Sequence, residues 1–567
     1  MSVQSSNFPP MDNYFIADQF SMLAKLMDIH GENTFRAKSY SIAAYNIEQL
    51  KDPLPEMDRN SIAAQKGIGD STAKKILEIL DTGRLKALDD IIASTPTGVL
   101  ELLQVKGLGP KKIATIWKEM GIESIGELLY ACQENRLLMY KGFGAKTQQN
   151  VKEAIEFLLR HKDKFLYAEV CTYAESFEKA IREKIPESRF AVTGAFRMQS
   201  VVLDALEWIT TAPPGQLSSF LADNGYSQIE STDGASRFRG LENIPVTFHH
   251  ATNDTFAKRL FETSCSSAFR EAWGPLHNEL GSYKDEEDIF RSAGLPFIPA
   301  CRREDESVIT QARTGMLKDT IEVVDIKGII HSHSTWSDGS QSISDMAKAC
   351  IGMGMEYLVI SDHSRSASYA GGLSIEKILE QHAEIDALNS AFAPFHIFKS
   401  IECDILGDGR MDYPDEVLAT FDLVIASIHS NLKMTEEKAM QRLLTAIENP
   451  YTTILGHMTG RLLLSRPGYP VDHLRIIDAC AAHHVTIEIN AHPRRLDIDW
   501  SWIQSAMNKG VRLSINPDAH SAEGFRDIRF GVLAAQKGGL TKAFNLSSMS
   551  GMEIREYLEN RKSGLKR

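Results

Sequence analysis

A multidomain protein, with a C-terminal TIM-like (β/α)7 barrel behind a helical N-terminal part, is the fold class this sequence predicts, on three observations. The chain has 567 residues, too many for one hydrophobic core. Between residues 60 and 150, three Gly-x-Gly tripeptides each join two helical patterns. From residue 321 onward one unit recurs: a short aliphatic or β-branched run, a polar group, then a longer amphipathic stretch.

The helical part is read from Gly67-Ile68-Gly69, Gly107-Leu108-Gly109 and Gly142-Phe143-Gly144, which recur at 40 and 35 residues. Each has an apolar residue between its glycines and a polar or basic helix start after them, as in KGIGDSTAKKI, KGLGPKKIATIW and KGFGAKTQQNV. Glycine permits a tight turn and a close approach, so the amides that open the next helix can cradle a phosphate oxygen. One Gly-x-Gly is a weak signal. Three of them, preceded by Lys66, Lys106 and Lys141, resemble helix-hairpin-helix motifs that grip DNA backbones without reading sequence. By that resemblance Gly67, Gly69, Gly107, Gly109, Lys111, Gly142 and Gly144 bind DNA. FRAKSYSIAAYNIEQL and LDTGRLKALDDI are similar to the amino-terminal lyase-type domain of family X DNA polymerases. Lys75 matches that family's Schiff-base lysine, and a solvent-facing or phosphate-binding role is expected for it in this chain. The resulting boundaries are 1–90 for the lyase-type domain with the first hairpin and 91–162 for a fingers-like helical domain with the other two.

The family X resemblance runs on to EEDIFRSAGLPFIPACRRED, which looks like the tail of a thumb. It implies an α+β nucleotidyltransferase-like palm over 163–240, a thumb over 241–318, and a linker at about 305–326. A palm of this kind holds two metal ions on three aspartates, the first two as Asp-x-Asp after a Gly-Ser turn. In AVTGAFRMQSVVLDALEWITT, a frame without gaps from Gly194 puts Ala195 at the serine and Ala205 and Glu207 at the aspartates. Moving the frame by one restores Asp204 but brings Leu206 to the second place. The third aspartate falls in Val246-Thr247-Phe248-His249, at Thr247, and the sugar-selecting segment reads Phe261-Glu262-Thr263-Ser264-Cys265. Losing metal carboxylates slows such chemistry by orders of magnitude, so the expectation is a palm that positions DNA without polymerising.

The barrel is read from strand ends that each carry a polar group: IKGIIHSHS, EYLVISDHS, FKSIECDIL, DLVIASIHS, TTILGHM, VTIEINAHP and RLSINPDAHS. Their spacing is that of one strand plus one returning helix, and in such barrels the C-terminal strand ends converge on one face. Carboxylates and imidazoles crowded there would repel or stay unsatisfied without cations among them. HSHSTWSDG, SDHS, IECDILGDG, ASIHS, LGHMTGR, IEINAHPRRLD and NPDAHS closely resemble the PHP (polymerase and histidinol phosphatase) family. By that resemblance, residues 325–567 form a metallo-phosphoesterase barrel whose ligands are His331, His333, Asp338, His363, Glu402, His429, His457, Asp518 and His520. Mixed imidazole and carboxylate ligation suits two or three Mn²⁺, Zn²⁺ or Fe²⁺ ions better than an oxygen-only Mg²⁺ site. Arg461 and Arg495, just past ligand-bearing strand ends, are placed either to hold a neighbouring phosphate or in surface salt bridges. Asp362, Asp404 and His492 are candidates for orienting the ligands.

Composition sets limits on the rest. The chain is 43% hydrophobic and 24% charged, an ordinary globular balance, and 12 of its 17 histidines lie after residue 325. The net charge of −13 is an average that metal-binding carboxylates inflate, and it leaves room for a local basic face. Seven scattered cysteines with no Cys-x-x-Cys pair argue against a disulfide framework or a zinc ribbon. With no apolar run long enough for a membrane and no secretory start, a cytoplasmic, nucleoid-associated monomer is expected. The functional expectation is a DNA-repair nuclease, a 3′–5′ exonuclease or abasic-site endonuclease, acting on gapped, nicked, abasic or single-stranded DNA. A gap-filling polymerase with a proofreading PHP domain, a silent DNA-binding scaffold and a small-molecule phosphatase are the alternatives.

Overall fold

The structure is a computed structural model that describes residues 12–565 apart from 66, 134–135, 161–163, 241–242, 277–282 and 465–466. The chain divides into two compact units, Met1–Lys162 and Asp163–Arg567.

The first unit is helical. α1 (Asn13–His30) starts where the Asp12 carboxylate accepts the Phe15 amide at 2.8 Å and stops at Gly31, whose φ of +73° suits glycine. It lies against α2 (Thr34–Glu48), capped by Asn33. The hairpins enter α3 (Asp70–Thr82), α4 (Pro110–Ala114, continued by a π turn at Thr115–Glu119) and α5 (Ala145–Arg160). A single apolar core, with Phe20, Leu26, Ile76, Leu102, Ile116 and Ile155, runs through the whole unit. The two helical domains expected at 1–90 and 91–162 therefore share one core.

The second unit opens with a mixed sheet in the order β1-β2-β5-β4-β3: β1 (Phe190–Thr193), β2 (Leu206–Thr210), β3 (Ser227–Ser231), β4 (Ala235–Arg239) and β5 (Pro245–His250). Helices Tyr167–Lys184 and Pro214–Asp223 close its apolar face over Trp208, Phe238 and Phe248. The sheet takes in Pro245–His250, so the palm extends past the boundary expected at residue 240. The thumb core is built on Phe261, Phe269, Trp273 and Phe290.

Seven parallel strands follow in sequential order: β6 (Gly328–Ile329), β7 (Tyr357–Ile360), β8 (His396–Asp404), β9 (Leu423–Ser427), β10 (Thr452–Leu455), β11 (Thr486–Asn490) and β12 (Leu513–Asn516). Six of them are buried along nearly their whole length on both faces, as aliphatic runs in a parallel sheet should be. The ends of β6 and β12 meet through a parallel bridge from Ser332 to Ala519, which nearly closes the barrel.

The stretch expected as a linker is structured. Glu306–Arg313 is a helix of the thumb core, and Ile321 is fully buried in the barrel core. Palm, thumb and barrel are tied together by α6 (Ile528–Gly538). Its Lys537 donates to the Met198 carbonyl at 2.9 Å and pairs with Glu304, while Gln536 accepts from Gln199 at 3.0 Å.

Candidate functional site

The loops leaving the barrel strands bring all nine expected ligands into one bowl. Glu402, near the end of β8, is its centre: its carboxylate stands 3.2 Å from His331 Nε2, 3.7 Å from His333 Nε2, 3.0 Å from His363 Nδ1, 3.1 Å from His429 Nε2 and 2.9 Å from His457 Nε2. Asp338 is the second meeting point, 3.4 Å from His363 Nε2, 3.3 Å from His520 Nε2 and 3.8 Å from His333 Nδ1. Asp518 lies 3.2 Å from His333 Nε2 and 3.5 Å from His331 Nε2.

Local sequence explains how the loops reach that geometry. Gly339 lets the turn after Asp338 fold onto the backbone of His333, since a Cβ there would lie 2.1 Å from the His333 carbonyl oxygen. Asp362 is not among the close groups. It accepts from the Ser334 amide and hydroxyl, the Ser337 hydroxyl and Gln381 Nε2, and so shapes the loop between His333 and Asp338. Asp404 takes the Nδ1–H of His429 at 2.6 Å, which leaves Nε2 directed at Glu402. His492 accepts the Arg494 amide through Nδ1 at 3.2 Å. His331, Asp518 and His457 have φ of +64°, +53° and +21°, the left-handed region that non-glycine residues enter only when their surroundings impose it.

Burial opposes every charge in the bowl, and the opposite charges prevail at Glu402, His363 and His429 but not at His333. The imidazoles of His429, His331 and His363 hold Glu402 well below the usual carboxylate range despite complete burial. Against their own burial, Glu402 and Asp338 push His363 up to about 10, and Glu402 and Asp404 push His429 up to about 9. Burial takes His333 down to about 4.

The donor set fits divalent ions. His331 Nε2 and His333 Nδ1 are fully buried and make no hydrogen bond among the described residues, although carboxylate oxygens lie within 4 Å of each. Three overlapping groups have ligand atoms within 4.8 Å of one another: His333, Asp338, His363 and His520; His331, His333 and Asp518; and His363, Glu402 and His429. His457 joins them through Glu402.

The two arginines differ. Arg461 is committed to the scaffold: its guanidinium donates to the Arg495 carbonyl at 2.9 Å and to the Leu496 carbonyl, and pairs with Asp499 at 2.7 Å. That is the salt-bridge alternative, and it leaves no free fork for a phosphate. Arg495 lies 3.5 Å from the Asp518 carboxylate, at the edge of the bowl. Sequence reasoning missed Glu488, fully buried on β11 and bonded to His331 at 2.6 Å. It also missed Arg442, which donates to the carbonyls of Leu406 and Ser430, in the loops after Asp404 and His429. The signal for Glu488 was present in VTIEINAHP, where a strand period of two puts Glu488 and Asn490 on one face.

The hairpins repeat one geometry. The middle residues Ile68, Leu108 and Phe143 are buried, and their amides bond back to Gln65, Val105 and Tyr140. The first glycines, Gly67, Gly107 and Gly142, have φ of +80°, +89° and +94°. Gly69 and Gly109 begin their helices at φ of −87° and −85°, and, as at Gly144, an added Cβ would meet nothing within 4 Å. The fold therefore does not require glycine at these second positions; the open space lies over a helix N-terminus. Lys111 is exposed beside it, Lys75 is half-buried with its ammonium 6.0 Å from the Tyr40 ring, and Lys66 lies outside the described residues.

In the palm, strand pairing sets Glu207 beside Thr247, and the Glu207 carboxylate is taken by His249 Nε2 at 2.8 Å. Ala195 sits in the short helix after β1, and Ala205 directly precedes β2. Asp204 is 71% exposed and pairs with Lys164 at 3.0 Å. Among the described residues, the groups that could hold a metal ion all lie in the barrel.

A (β/α)7 barrel with this donor set, joined to a polymerase-type α+β part and to helix-hairpin-helix segments, defines an enzyme of the hydrolase and polymerase kind. A helix-hairpin-helix domain model matches residues 11–85, and a SAM-like helix-hairpin-helix tandem model matches residues 99–156. The chain is 34% identical over 560 residues to the DNA polymerase/3′-5′ exonuclease PolX of Bacillus subtilis (strain 168), covering 95% of this chain and 97% of that one. A probable phosphatase of Thermoanaerobacter sp. (strain X514) is 25% identical over 243 residues, 41% of this chain and 94% of its own. DNA polymerase lambda of Rattus norvegicus is 27% identical over 209 residues, 36% of this chain and 32% of its own. The chain belongs to the bacterial family X DNA polymerases of the PolX type, with a PHP barrel at its C-terminal end.

Proposed function

We propose that this protein is a metal-dependent DNA phosphodiesterase of DNA repair, which removes nucleotides from 3′ ends or cuts at abasic sites, with a palm that no longer polymerises. The observation that carries the reading is the convergence of His331, His333, Asp338, His363, Glu402, His429, His457, Asp518 and His520 around buried, hydrogen-bond-poor ligand atoms. Two or three ions of Mn²⁺, Zn²⁺ or Fe²⁺ held there would supply phosphate charge neutralisation and an acidified water. The chain's own residues do the rest. Glu402 and Asp338 bridge the imidazoles, Asp404 fixes the ring of His429, and Arg495 offers a guanidinium edge to a phosphate beside Asp518. The hairpins present Gly69, Gly109 and Gly144, with Lys111, to a DNA backbone irrespective of sequence. An inert palm is supported by Glu207 being engaged by His249 and by Asp204 being turned to Lys164.

The test uses end-labelled single-stranded, gapped and abasic DNA with Mn²⁺, beside a His331→Ala variant. Cutting by the wild-type protein and at least about 100-fold less by the variant is expected. Equal cutting by both, or none by either, contradicts the reading. One observation favours a second reading, a gap-filling polymerase with a proofreading barrel: the PolX relative that matches nearly the whole chain is called a polymerase as well as an exonuclease. Template-directed incorporation that Glu207→Ala abolishes would establish it.

A further inference from the structure

We propose that Glu488 is the positioning residue of the metal centre, a carboxylate that sets the tautomer of His331 and the turn at His457 together. The inference rests on reading the barrel as a metal centre. Glu488 is fully buried on β11, and donors approach both of its oxygens. Oε1 lies 2.6 Å from His331 Nδ1 and accepts from Asn516 Nδ2 at 2.8 Å; Oε2 accepts from the His457 amide at 2.7 Å and from Asn490 Nδ2 at 3.2 Å.

The Asn490 amide cannot turn round, because its Oδ1 accepts the His492 N–H at 3.1 Å while its Nδ2 donates to Asp518 at 3.0 Å; Asn516 Oδ1 takes the Ser514 hydroxyl at 2.6 Å, which leaves its Nδ2 to Glu488. With the His457 N–H and the Asn490 amide fixed as donors on Oε2 and the Asn516 amide on Oε1, the Glu488 carboxylate is placed to accept from His331 as well. The proton of neutral His331 therefore sits on Nδ1, and the lone pair on Nε2 faces Glu402 and Asp518, where an ion would be held. The same carboxylate holds the backbone of His457, one of the residues in the left-handed region.

A glutamine has one acceptor oxygen and cannot serve both pairs. With its NH₂ toward His331, the imidazole must move its proton to Nε2 and close that ligand. With its NH₂ toward His457, the turn loses its acceptor. The first orientation weakens the ion position built from His331, His333 and Asp518, and the second the Glu402 side of the bowl through His457; neither reaches Asp338, His363 and His520.

The experiment is a Mn²⁺ titration of the metal-free full-length protein, counting free Mn²⁺ by electron paramagnetic resonance, with circular dichroism of each sample. The wild type should take up more than one ion per chain; if it takes up none, the metal-centre reading itself fails. Glu488→Gln should fold and lose about 10- to 100-fold in affinity at one step only, with the others within about threefold. Asn516→Ala removes one donor but keeps the carboxylate, and should lose less affinity than Glu488→Gln. Unchanged binding by Glu488→Gln, equal weakening at every step, equal weakening by Asn516→Ala, or a Glu488→Gln chain that does not fold would each overturn the proposal while leaving the metal centre standing.

Discussion

Glu402 stands against His331, His333, His363, His429 and His457, so its loss strips a carboxylate from every position those rings share. Glu402→Gln should lower DNA cleavage by at least about 100-fold and reduce bound Mn²⁺, measured by metal analysis of the same sample. The charges also set a pH dependence. His363 at about 10 and His429 at about 9 lie above the ordinary 6.5, so the metal-free fold favours their protonated forms. That stabilisation is complete below pH 6.5 and is lost as pH rises through 9 to 10. The Tm of metal-free protein should therefore fall between pH 7 and 10, and Mn²⁺ uptake should release protons and tighten over the same range; a flat Tm and proton-free uptake would contradict this. The arginines separate by a split measurement. Arg461→Met should cost about 2 kcal/mol of stability, because Asp499 and two carbonyls lose their donor, and Arg495→Met should chiefly raise KM for DNA. At this scale the ligands were legible because each ends a strand in a family-like motif. Arg442 was not, because it serves the ligand loops through their backbone carbonyls and leaves no motif of its own; Glu488 was overlooked although the strand period sets it on the face of Asn490.

The hairpin glycines make two predictions at the scale of the element. Gly107→Ala should lower stability by about 1–2 kcal/mol, since φ is +89° there and nothing nearby blocks a Cβ. Gly109→Asp should leave the Tm within a few degrees, because Asp is a favourable helix cap at φ −85°, yet weaken DNA binding by roughly tenfold or more by setting a carboxylate where a phosphate would sit. Equal DNA affinity of Gly109→Asp and wild type would remove that hairpin from the interface. The barrel strands could be read in advance, because aliphatic runs, in six of the seven buried on both faces, need no partner to announce them. The palm was harder. β3 is exposed along its whole length and carries no period-two signal, and β5 belongs to the sheet only by pairing with β2 and β4, which lie earlier in the chain. The expected linker was misread for a similar reason: Ile321 is held by the barrel core, a tertiary fact that local composition does not contain.

For the whole molecule, the proposed chemistry and the proposed grip belong to different compact units, Met1–Lys162 for the hairpins and Asp163–Arg567 for the barrel ligands. Losing hairpin contacts should therefore reduce cleavage of DNA while sparing hydrolysis of a small chromogenic phosphodiester, whereas Glu402→Gln should abolish both. Family membership alone does not divide the labour between palm and barrel, since the PolX relative carries both activities in its name. The division proposed for this chain comes from side chains: carboxylates gathered in the barrel, and carboxylates dispersed or engaged in the palm. One gel addresses it directly. A 3′-terminal primer, labelled at its 5′ end and annealed across a one-nucleotide gap, is incubated with the full-length protein, Mn²⁺ and the four deoxynucleoside triphosphates, beside Glu402→Gln. The account predicts primers that shorten and never lengthen, with shortening lost in the variant; primers extended by one template-directed nucleotide, or shortened equally by both proteins, would contradict it.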